Sequence, residues 1–116
     1  MPPGPVDSLP LTVPVFQILL ALADAPRHGY AIIREIEERT DGEVRLTAST
    51  LYGAVARMLE AGLIEELEPK RGRERRRPYR IAPAGRALAR REAARLARAA
   101  AWARGKRLLS RTPGGE

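Results

Sequence analysis

Apolar and polar residues recur along the chain with a helical period in four stretches and with a strand period in one hairpin. The first stretch, from Val15 to Ala23, is apolar on most sides. It follows Thr12, an N-cap candidate, and Pro14, which suits a first helical turn. The pattern predicts a buried helix that begins near Thr12 and ends before Pro26.

A second amphipathic helix is predicted after a turn at residues 27–29. Tyr30, Ile33 and Ile36 recur at helical spacing on its apolar face, and charged residues occupy the opposite face. Asp41-Gly42 closes it in the manner of a helix C-cap. His28, the single histidine, is interpreted as a turn residue or a cap of this helix rather than as a catalyst or a metal ligand.

The third predicted helix runs from about Ala48 to Ala61, with the hydroxyl of Thr47 available as a cap and Gly62 at its end. At about 100° per residue, its core face comprises Leu51, Val55, Met58 and Leu59. Its outward face comprises Ser49, Gly53, Ala56, Arg57 and Glu60, with Thr50 and Tyr52 on the flanks. Such a small and polar face can enter a DNA groove without exposing a bulky apolar patch.

A hairpin with a basic tip follows the third helix. Residues 63–68 suit a strand and residues 78–81 suit its return, and the nine residues between them hold six basic residues and one glutamate. This density of like charge favours a site that meets anions. Residues 83–109, rich in Ala and Arg, predict a final long helix. The segments 1–10 and 110–116 are predicted to be a flexible arm and a flexible tail.

Charge is distributed unevenly along the chain, which carries a formal net charge of +7. Residues 1–68 hold five arginines and eleven acidic residues, whereas residues 69–116 hold sixteen basic and three acidic residues. Nineteen of the 21 basic residues are arginine, whose planar fork suits phosphates and guanine edges. The asymmetry predicts a polyanionic partner for the second half of the chain.

Composition also excludes several classes of protein. The 116 residues suit one domain, and the absence of cysteine excludes disulfides and thiolate metal sites and favours the reducing cytoplasm. The longest apolar stretch is about half the ~20 residues of a membrane span. One histidine, no Gly-rich phosphate loop and no paired carboxylates in an apolar setting argue against an enzyme, so no cofactor or metal is expected.

Five short motifs occur in order along the chain, namely His28-Gly29-Tyr30, Thr50-Leu51-Tyr52, Glu60-Ala61-Gly62-Leu63-Ile64, Tyr79-Arg80-Ile81 and Ala84-Gly85-Arg86. Together they resemble PadR-family transcriptional regulators over about residues 11–107. Ala48 and Ala82 depart from residues common in the family, and both departures concern helix caps. The resemblance implies a mainly α fold with a small β-hairpin, in which a winged helix-turn-helix domain (11–82) precedes a long C-terminal dimerisation helix (83–109).

The resemblance also implies a mode of DNA binding. The third helix would enter the major groove with its first turn leading, and the hairpin would be the wing that contacts flanking phosphates. The expected DNA-binding residues are Ser49, Thr50, Tyr52 and Arg57 of the helix and Lys70, Arg71, Arg73, Arg75, Arg76 and Arg77 of the wing. Tyr52 fits a packing role equally well, and Thr50 fits a capping role. Sequence readout by so few side chains would depend on DNA shape and half-site spacing.

An apolar stripe on the last helix predicts a twofold partner. The stripe, and with it the expected dimer interface, comprises Leu88, Leu96, Ala99, Trp102 and Ala103. Glu92 and Arg95 intrude on it, either as a buried pair across subunits or as two solvated charges at its edge. The resemblance adds a ligand pocket for a small aromatic effector in some members, for which Trp102 is the candidate residue.

The sequence therefore predicts a cytoplasmic bacterial regulator that binds double-stranded DNA as a homodimer. We expect a repressor on a pseudo-palindromic operator, relieved by an aromatic ligand if the pocket exists. The alternative is a nucleoid- or RNA-associated basic protein that uses the same arginines without sequence specificity. A protein-interaction adaptor is a further alternative, because winged helices also serve as docking modules.

Overall fold

The computed structural model describes residues 5–69 and 76–110. Four helices and a two-stranded antiparallel sheet occur in the order α1, α2, α3, β1, β2, α4. Their bounds are Val13–Leu22 (α1), Gly29–Arg39 (α2), Ala48–Glu60 (α3), Ile64–Glu66 (β1), Tyr79–Ile81 (β2) and Pro83–Gly105 (α4). The predicted mainly helical fold with a small hairpin and a long last helix is confirmed.

Helix ends follow the capping residues that the sequence contains. The hydroxyl oxygens of Thr12 and Thr47 each accept a hydrogen bond from the backbone N–H three residues later, at 3.4 Å and 3.1 Å. After α2 the chain turns through Asp41 and Gly42, both at positive φ (52° and 79°). These three predictions are confirmed, and α1 and α3 begin where their caps place them.

The core lies where α1, α2 and α3 meet, and α4 packs against α1. Its members include Val15, Ile18, Leu19 and Leu22 of α1, Ile32 and Ile36 of α2, Leu51, Val55 and Met58 of α3, and Ile64 of β1. Among the described residues, no helix has both the length and the apolar content that a membrane crossing needs.

The buried face of α2 differs from the predicted one. Ile32 and Ile36 are buried and Ile33 is half-buried, whereas Tyr30 is 61% exposed. Two apolar stripes fit helical spacing here, and the one with Ile32 buries a branched aliphatic side chain in place of a tyrosine whose hydroxyl would need a partner. The prediction of Tyr30 as a core residue was wrong.

The first two turns of α4 belong to the core of the same chain. Leu88, predicted from the sequence to lie at a dimer interface, is only 5% exposed and joins the apolar cluster around α1. An apolar stripe on a helix shows that the helix packs, but not whether its partner is its own domain or a second subunit. Because Leu88 packs within its own domain, its assignment to the interface was wrong. In the same segment, Gly85 lies so close to the Leu63 carbonyl that an added Cβ would overlap it.

Glu92 is a buried carboxylate that ties the start of α1 to α4. It is 2% exposed, and its Oε2 accepts a hydrogen bond from the backbone N–H of Leu11 at 3.0 Å. Arg95, one turn later, donates to both of its oxygens at 2.6 and 3.0 Å. The bonds from Arg95 and Leu11 lower the pKa of the Glu92 carboxyl below its ordinary value. The pair lies within one chain, so neither arrangement expected from the sequence is correct.

The hairpin is anchored at its base on both sides. Ile64 pairs with Ile81 and Glu66 pairs with Tyr79 in the antiparallel ladder. The backbone of Arg27, in the α1–α2 turn, exchanges two further hydrogen bonds with Tyr79, at 3.1 and 2.9 Å. This extra bridge holds the start of α2 beside the wing. The N-terminal segment also contacts the domain, because Val6 and Leu9 pack on the core.

Candidate nucleic-acid interface

Helix α3 presents a polar and small-residue face to solvent. Leu51, Ala54, Val55 and Met58 are buried, whereas Ser49, Thr50, Tyr52, Gly53, Ala56, Arg57 and Glu60 are exposed. This division agrees with the two faces that the periodicity predicts. Because bulky aliphatic side chains are confined to the buried side, the exposed side can approach a flat or grooved polar surface closely.

The first turn of α3 is free of acidic residues and exposes Thr47, Ala48, Ser49 and Thr50. Thr47 Oγ1 accepts from the backbone N–H of Thr50 and donates to the Thr50 hydroxyl at 3.0 Å. Thr50 is thus a partner of the cap, and its side chain also remains exposed. The N–H groups at the start of a helix have no acceptor within the helix. Together with the Ser49 hydroxyl, those of this turn can donate hydrogen bonds to an anion.

Tyr52 lies across the start of α2, at a glycine that leaves room for it. A Cβ built on Gly29 would lie 2.7 Å from Tyr52 Cζ and 3.0 Å from Leu51 Cδ2, and it would overlap the Tyr52 hydroxyl. The ring nevertheless remains 48% exposed. One part of the Tyr52 ring packs against Gly29, which agrees with the packing role, and the other part faces solvent, so DNA contact by Tyr52 stays a prediction. Sequence reasoning missed this dependence on Gly29.

Arg57 differs in its charge environment from the arginines of α2. Within the described residues, Arg34 and Arg39 form ion pairs with glutamates of their own helix, at 3.9 and 3.0 Å. Arg45 forms another with Glu37 at 3.6 Å. Arg57 is exposed, and within the same residues no carboxylate lies in ion-pair distance of it. Its guanidinium is consequently available to an external acceptor.

The described part of the wing contains Arg76 and Arg77, both exposed. Arg77 forms an ion pair with Glu68 at 3.1 Å, across the base of the hairpin. Arg80 is bonded in the same way to Glu65 on the paired strand, at 2.5 Å. The other predicted wing contacts, at Lys70, Arg71, Arg73 and Arg75, lie outside the described residues. Within the described wing, Arg76 carries the least compensated charge.

Tyr79 connects this face to the core. It is 8% exposed, and burial raises the pKa of its phenol, with Glu66 and Tyr52 raising it further. His28, which precedes α2, occupies the N-cap position, but its side chain makes no capping bond and its Nε2 is buried without a partner among the described residues. The interpretation of His28 as a residue at a helix start agrees with this position.

Comparison with known proteins assigns the chain to a family. The model of the transcriptional regulator PadR-like family matches residues 18–91, more than half of the chain. The chain belongs to this family. The family identified from the five motifs is thereby confirmed, and the expectation of a regulator rather than an enzyme agrees with it.

Two solved structures share the PadR-like fold. A PadR family transcription regulator from hypervirulent Clostridium difficile R20291 is 21% identical with a TM-score of 0.71, covering 81% of this chain and 97% of that one. Bacillus subtilis PadR in complex with operator DNA is 20% identical with a TM-score of 0.62, covering 70% and 46% of the two chains. At these identities the likeness concerns the fold, which agrees in both cases with the winged helix.

A relative in sequence has no described function. A protein of 37.1 kDa in transposon TN4556 of Streptomyces fradiae, named only as uncharacterized, is 48% identical over 81 residues. The match covers 70% of this chain but 22% of that protein, so the chain spans about a fifth of its relative.

Beyond the core, α4 carries exposed apolar side chains. Leu96 is 39% exposed and Trp102 is 71% exposed, whereas Ala99 is exposed and Ala103 is half-buried. On α1, Val13 and Leu20 are also exposed, at 57% and 46%. Within the described residues, α1 and α4 thus each carry an apolar surface that the core of the PadR-like chain leaves uncovered.

Proposed function

We propose that the chain is a DNA-binding transcriptional regulator that acts as a homodimer on a pseudo-palindromic operator and represses the gene it controls. The observation that carries the proposal is the exposed face of α3, which combines an uncompensated Arg57 with small and hydroxyl side chains. Family membership supports it. The relative solved with operator DNA supports duplex DNA as the partner.

In this proposal α3 enters the major groove with its first turn leading. Ser49, Thr50 and Tyr52 contact the phosphate backbone, and Arg57 reaches a guanine edge or a second phosphate. The packing of Tyr52 on Gly29 fixes the ring before DNA arrives. A side chain that is already positioned loses little conformational entropy on binding.

The wing contributes phosphate contacts that do not depend on sequence. Arg76 and Arg77 would contact the backbone beside the groove, together with the proposed tip residues Lys70, Arg71, Arg73 and Arg75. Arg77 would exchange its Glu68 partner for a phosphate. The pairing of the Arg27 backbone with Tyr79 holds the wing beside the start of α2. Because Tyr52 of α3 packs on Gly29 at the same place, α3 and the wing can contact the same duplex.

The homodimer would form through the second half of α4. Leu96, Ala99, Trp102 and Ala103 supply the interface, and the small alanines allow close approach of two helices. The exposed Val13 and Leu20 of α1 are a second apolar surface that a partner could cover. In such a dimer an aromatic effector could stack on Trp102 and change the spacing of the two α3 helices.

Selection of duplexes from a random library at about 150 mM salt tests the proposal. Enrichment of a twofold-symmetric site is expected. Recovery of duplexes without enrichment would contradict it and would favour the nucleoid-type alternative. Sedimentation of Leu96→Glu with Trp102→Glu tests the interface, because the double variant should be monomeric, and an unchanged dimer would exclude α4 as the dimer helix.

Two variants separate readout from backbone contact. Arg57→Ala should change the preference among sites, whereas Arg76→Ala with Arg77→Ala should weaken all duplexes alike and reduce the log–log salt slope by about 0.9 for each phosphate that is no longer neutralised. The control is Arg34→Ala, because Arg34 forms an ion pair with Glu38 on α2. Equal losses of affinity on every sequence from both variants would contradict the division of roles.

A further inference from the structure

Helix α4 carries a row of arginines on the side that faces away from the core. At about 100° per residue, Arg90, Arg91 and Arg98 share this side, and the positions between them are exposed alanines at 87, 94, 97 and 101. We call this surface the arginine face. The buried residues Gly85, Leu88 and Glu92 lie on the opposite side of the same helix.

The arginine face has no acidic neighbour on its own helix. The single acidic residue between Pro83 and Gly105 is Glu92, which is buried and bonded to Arg95. None of Arg90, Arg91 and Arg98 forms an ion pair within the part of the chain that the structure describes. The arginines of α2 contrast with them, because glutamates compensate both Arg34 and Arg39.

The lack of compensating carboxylates distinguishes the arginine face from arginines that serve only solubility. Arginines placed for solubility or for helix stability are ordinarily interspersed with acidic residues, as on α2. Like charges held together on one rigid helix destabilise it slightly unless an anion binds them. The alanines between the three arginines leave their guanidinium groups unobstructed. The surface therefore fits a repeating anion.

The dimensions of the face fit a nucleic-acid backbone. At about 1.5 Å per residue, Arg90 and Arg98 lie ~12 Å apart along the helix axis. One strand of duplex DNA places a phosphate about every 3.4 Å along its axis, so this span meets about three or four phosphates. The positions among the three arginines hold alanine and not the large apolar residues with which an amphipathic helix inserts into a membrane, so a membrane is a poor fit. The one aromatic residue of α4, Trp102, lies one turn beyond Arg98 at the edge of the face and belongs to the proposed dimer interface, so no ring lies among the arginines for single-stranded bases to stack on.

The arginine face is directed away from the α3 interface. Helix α1 packs against both α3 and α4, so it lies between them, and the arginine face is on the side of α4 remote from α1. The helices α1 and α4 themselves therefore lie between the exposed face of α3 and the arginine face. At about 100° per residue, Leu96, Ala99 and Ala103 of the proposed interface lie on the other side of α4, whereas Trp102 lies beside Arg91 and Arg98. An interface centred on Leu96, Ala99 and Ala103 leaves the arginine face at its edge, and Arg90 is the arginine farthest from it.

We propose that the arginine face binds the phosphate backbone of a second DNA segment, so that one molecule joins two duplexes. This surface is independent of the proposed operator contacts and goes beyond them. It predicts a protein that brings distant or neighbouring DNA segments together, through contacts that read backbone charge and not sequence.

Two triple variants of the full chain test the proposal. The first is Arg90→Gln with Arg91→Gln and Arg98→Gln. The matched control, Arg34→Gln with Arg39→Gln and Arg45→Gln, removes the same number of charges from ion-paired positions. Glutamine has nearly the helix propensity of arginine, so both variants should keep the circular dichroism of the wild type.

The assay is capture of a fluorescent duplex by a second duplex fixed to beads, together with binding of a single duplex as a function of salt. The arginine-face variant should show a fall in capture of about tenfold or more, and its salt slope should fall by about 0.9 for each phosphate that is no longer neutralised. The control should capture like the wild type. Undiminished capture by the arginine-face variant, or an equal reduction in the control, would overturn the proposal.

Competitors identify the polyanion, and an α3 variant separates this proposal from the operator function. Single-stranded RNA or vesicles of anionic phospholipid that displace the captured duplex better than duplex DNA does would overturn the assignment to DNA. Arg57→Ala should change site preference and leave the charge of the arginine face intact. If Arg57→Ala has no effect on any duplex while the arginine-face variant still fails to capture, the operator model is wrong and the role of the arginine face stands.

Discussion

Replacement of Gly85 by alanine should destabilise the domain, although alanine is the better helix former. The new Cβ would overlap the Leu63 carbonyl oxygen and lie 3.0 Å from its carbon and 3.1 Å from Leu19 Cδ2. The same oxygen accepts the hydrogen bond from Ala82 that closes the junction of β2 and α4, at 2.9 Å. Backbone on both sides of the contact must therefore move, and no flexible side chain can absorb the overlap.

The expected magnitude follows from three contributions. Overpacking of a core contact costs about 1–3 kcal/mol, and weakening of the Ala82 hydrogen bond costs about 0.5–1.5 kcal/mol. The higher helix propensity of alanine offsets about 1 kcal/mol of this. Gly85→Ala should thus lower the free energy of unfolding by about 0.5–3.5 kcal/mol, and a decrease of about 2 kcal/mol corresponds to a fall in Tm of about 8 °C for a chain of 116 residues.

Thermal and urea unfolding followed by circular dichroism measure this change at one fixed protein concentration, because association would shift the Tm. Gly53→Ala is the control, since its Cβ would have only Arg57 Nη1 as a neighbour, at 3.9 Å, on the exposed side of α3. The control should be stabilised by about 0.5–1 kcal/mol. A Gly85→Ala protein as stable as the wild type would refute the close approach of α4 to Leu63.

Three further predictions concern titration and the DNA-facing side. Because the pKa of Glu92 is lowered in the folded state, its charged form stabilises the fold above the ordinary glutamate pKa, and this contribution is lost as the pH falls through the lowered value. Acid unfolding of Glu92→Gln should therefore be less steep than that of the wild type over this range, and identical profiles would contradict the assignment. The pKa of Tyr79 is raised, so ultraviolet titration should show one of the three tyrosines ionising later than the others, and Tyr79→Phe should abolish that step. Gly53→Ala should weaken duplex binding while it stabilises the fold, since it adds a methyl group to the side proposed to enter the groove; unchanged affinity would argue against close contact there.

Local signals in the sequence predicted most of the fold. Threonine before an apolar run, as at Thr12 and Thr47, satisfies backbone donors within a few residues, so its effect is decided locally. The same is true of Asp41-Gly42, where only a residue that tolerates positive φ can end α2 in this way. Element boundaries and the two faces of α3 follow from such short-range physics.

Predictions that depended on distant partners were less successful. Periodicity places Leu88 on the apolar stripe of α4, but the partner of Leu88 is the core around α1 of the same chain, whereas Leu96 and Trp102 remain exposed. Periodicity places Glu92 on the same stripe, but nothing nearby in sequence indicates that Leu11, 81 positions earlier, donates a hydrogen bond to its carboxylate. The packing of Tyr52 on Gly29 likewise joins two helices. Such contacts are decided by how the elements assemble, and periodicity alone does not contain that information.

The bond between Leu11 and Glu92 has a practical consequence for handling the protein. It fixes Leu11 beside α4, and α1 lies between α4 and α3. A fluorescent label or a fused domain attached at Leu11 would start on the side of α4, the proposed dimer helix. Such a label would report on subunit association and on the arginine face, while the side of α3 proposed to face DNA would remain unobstructed.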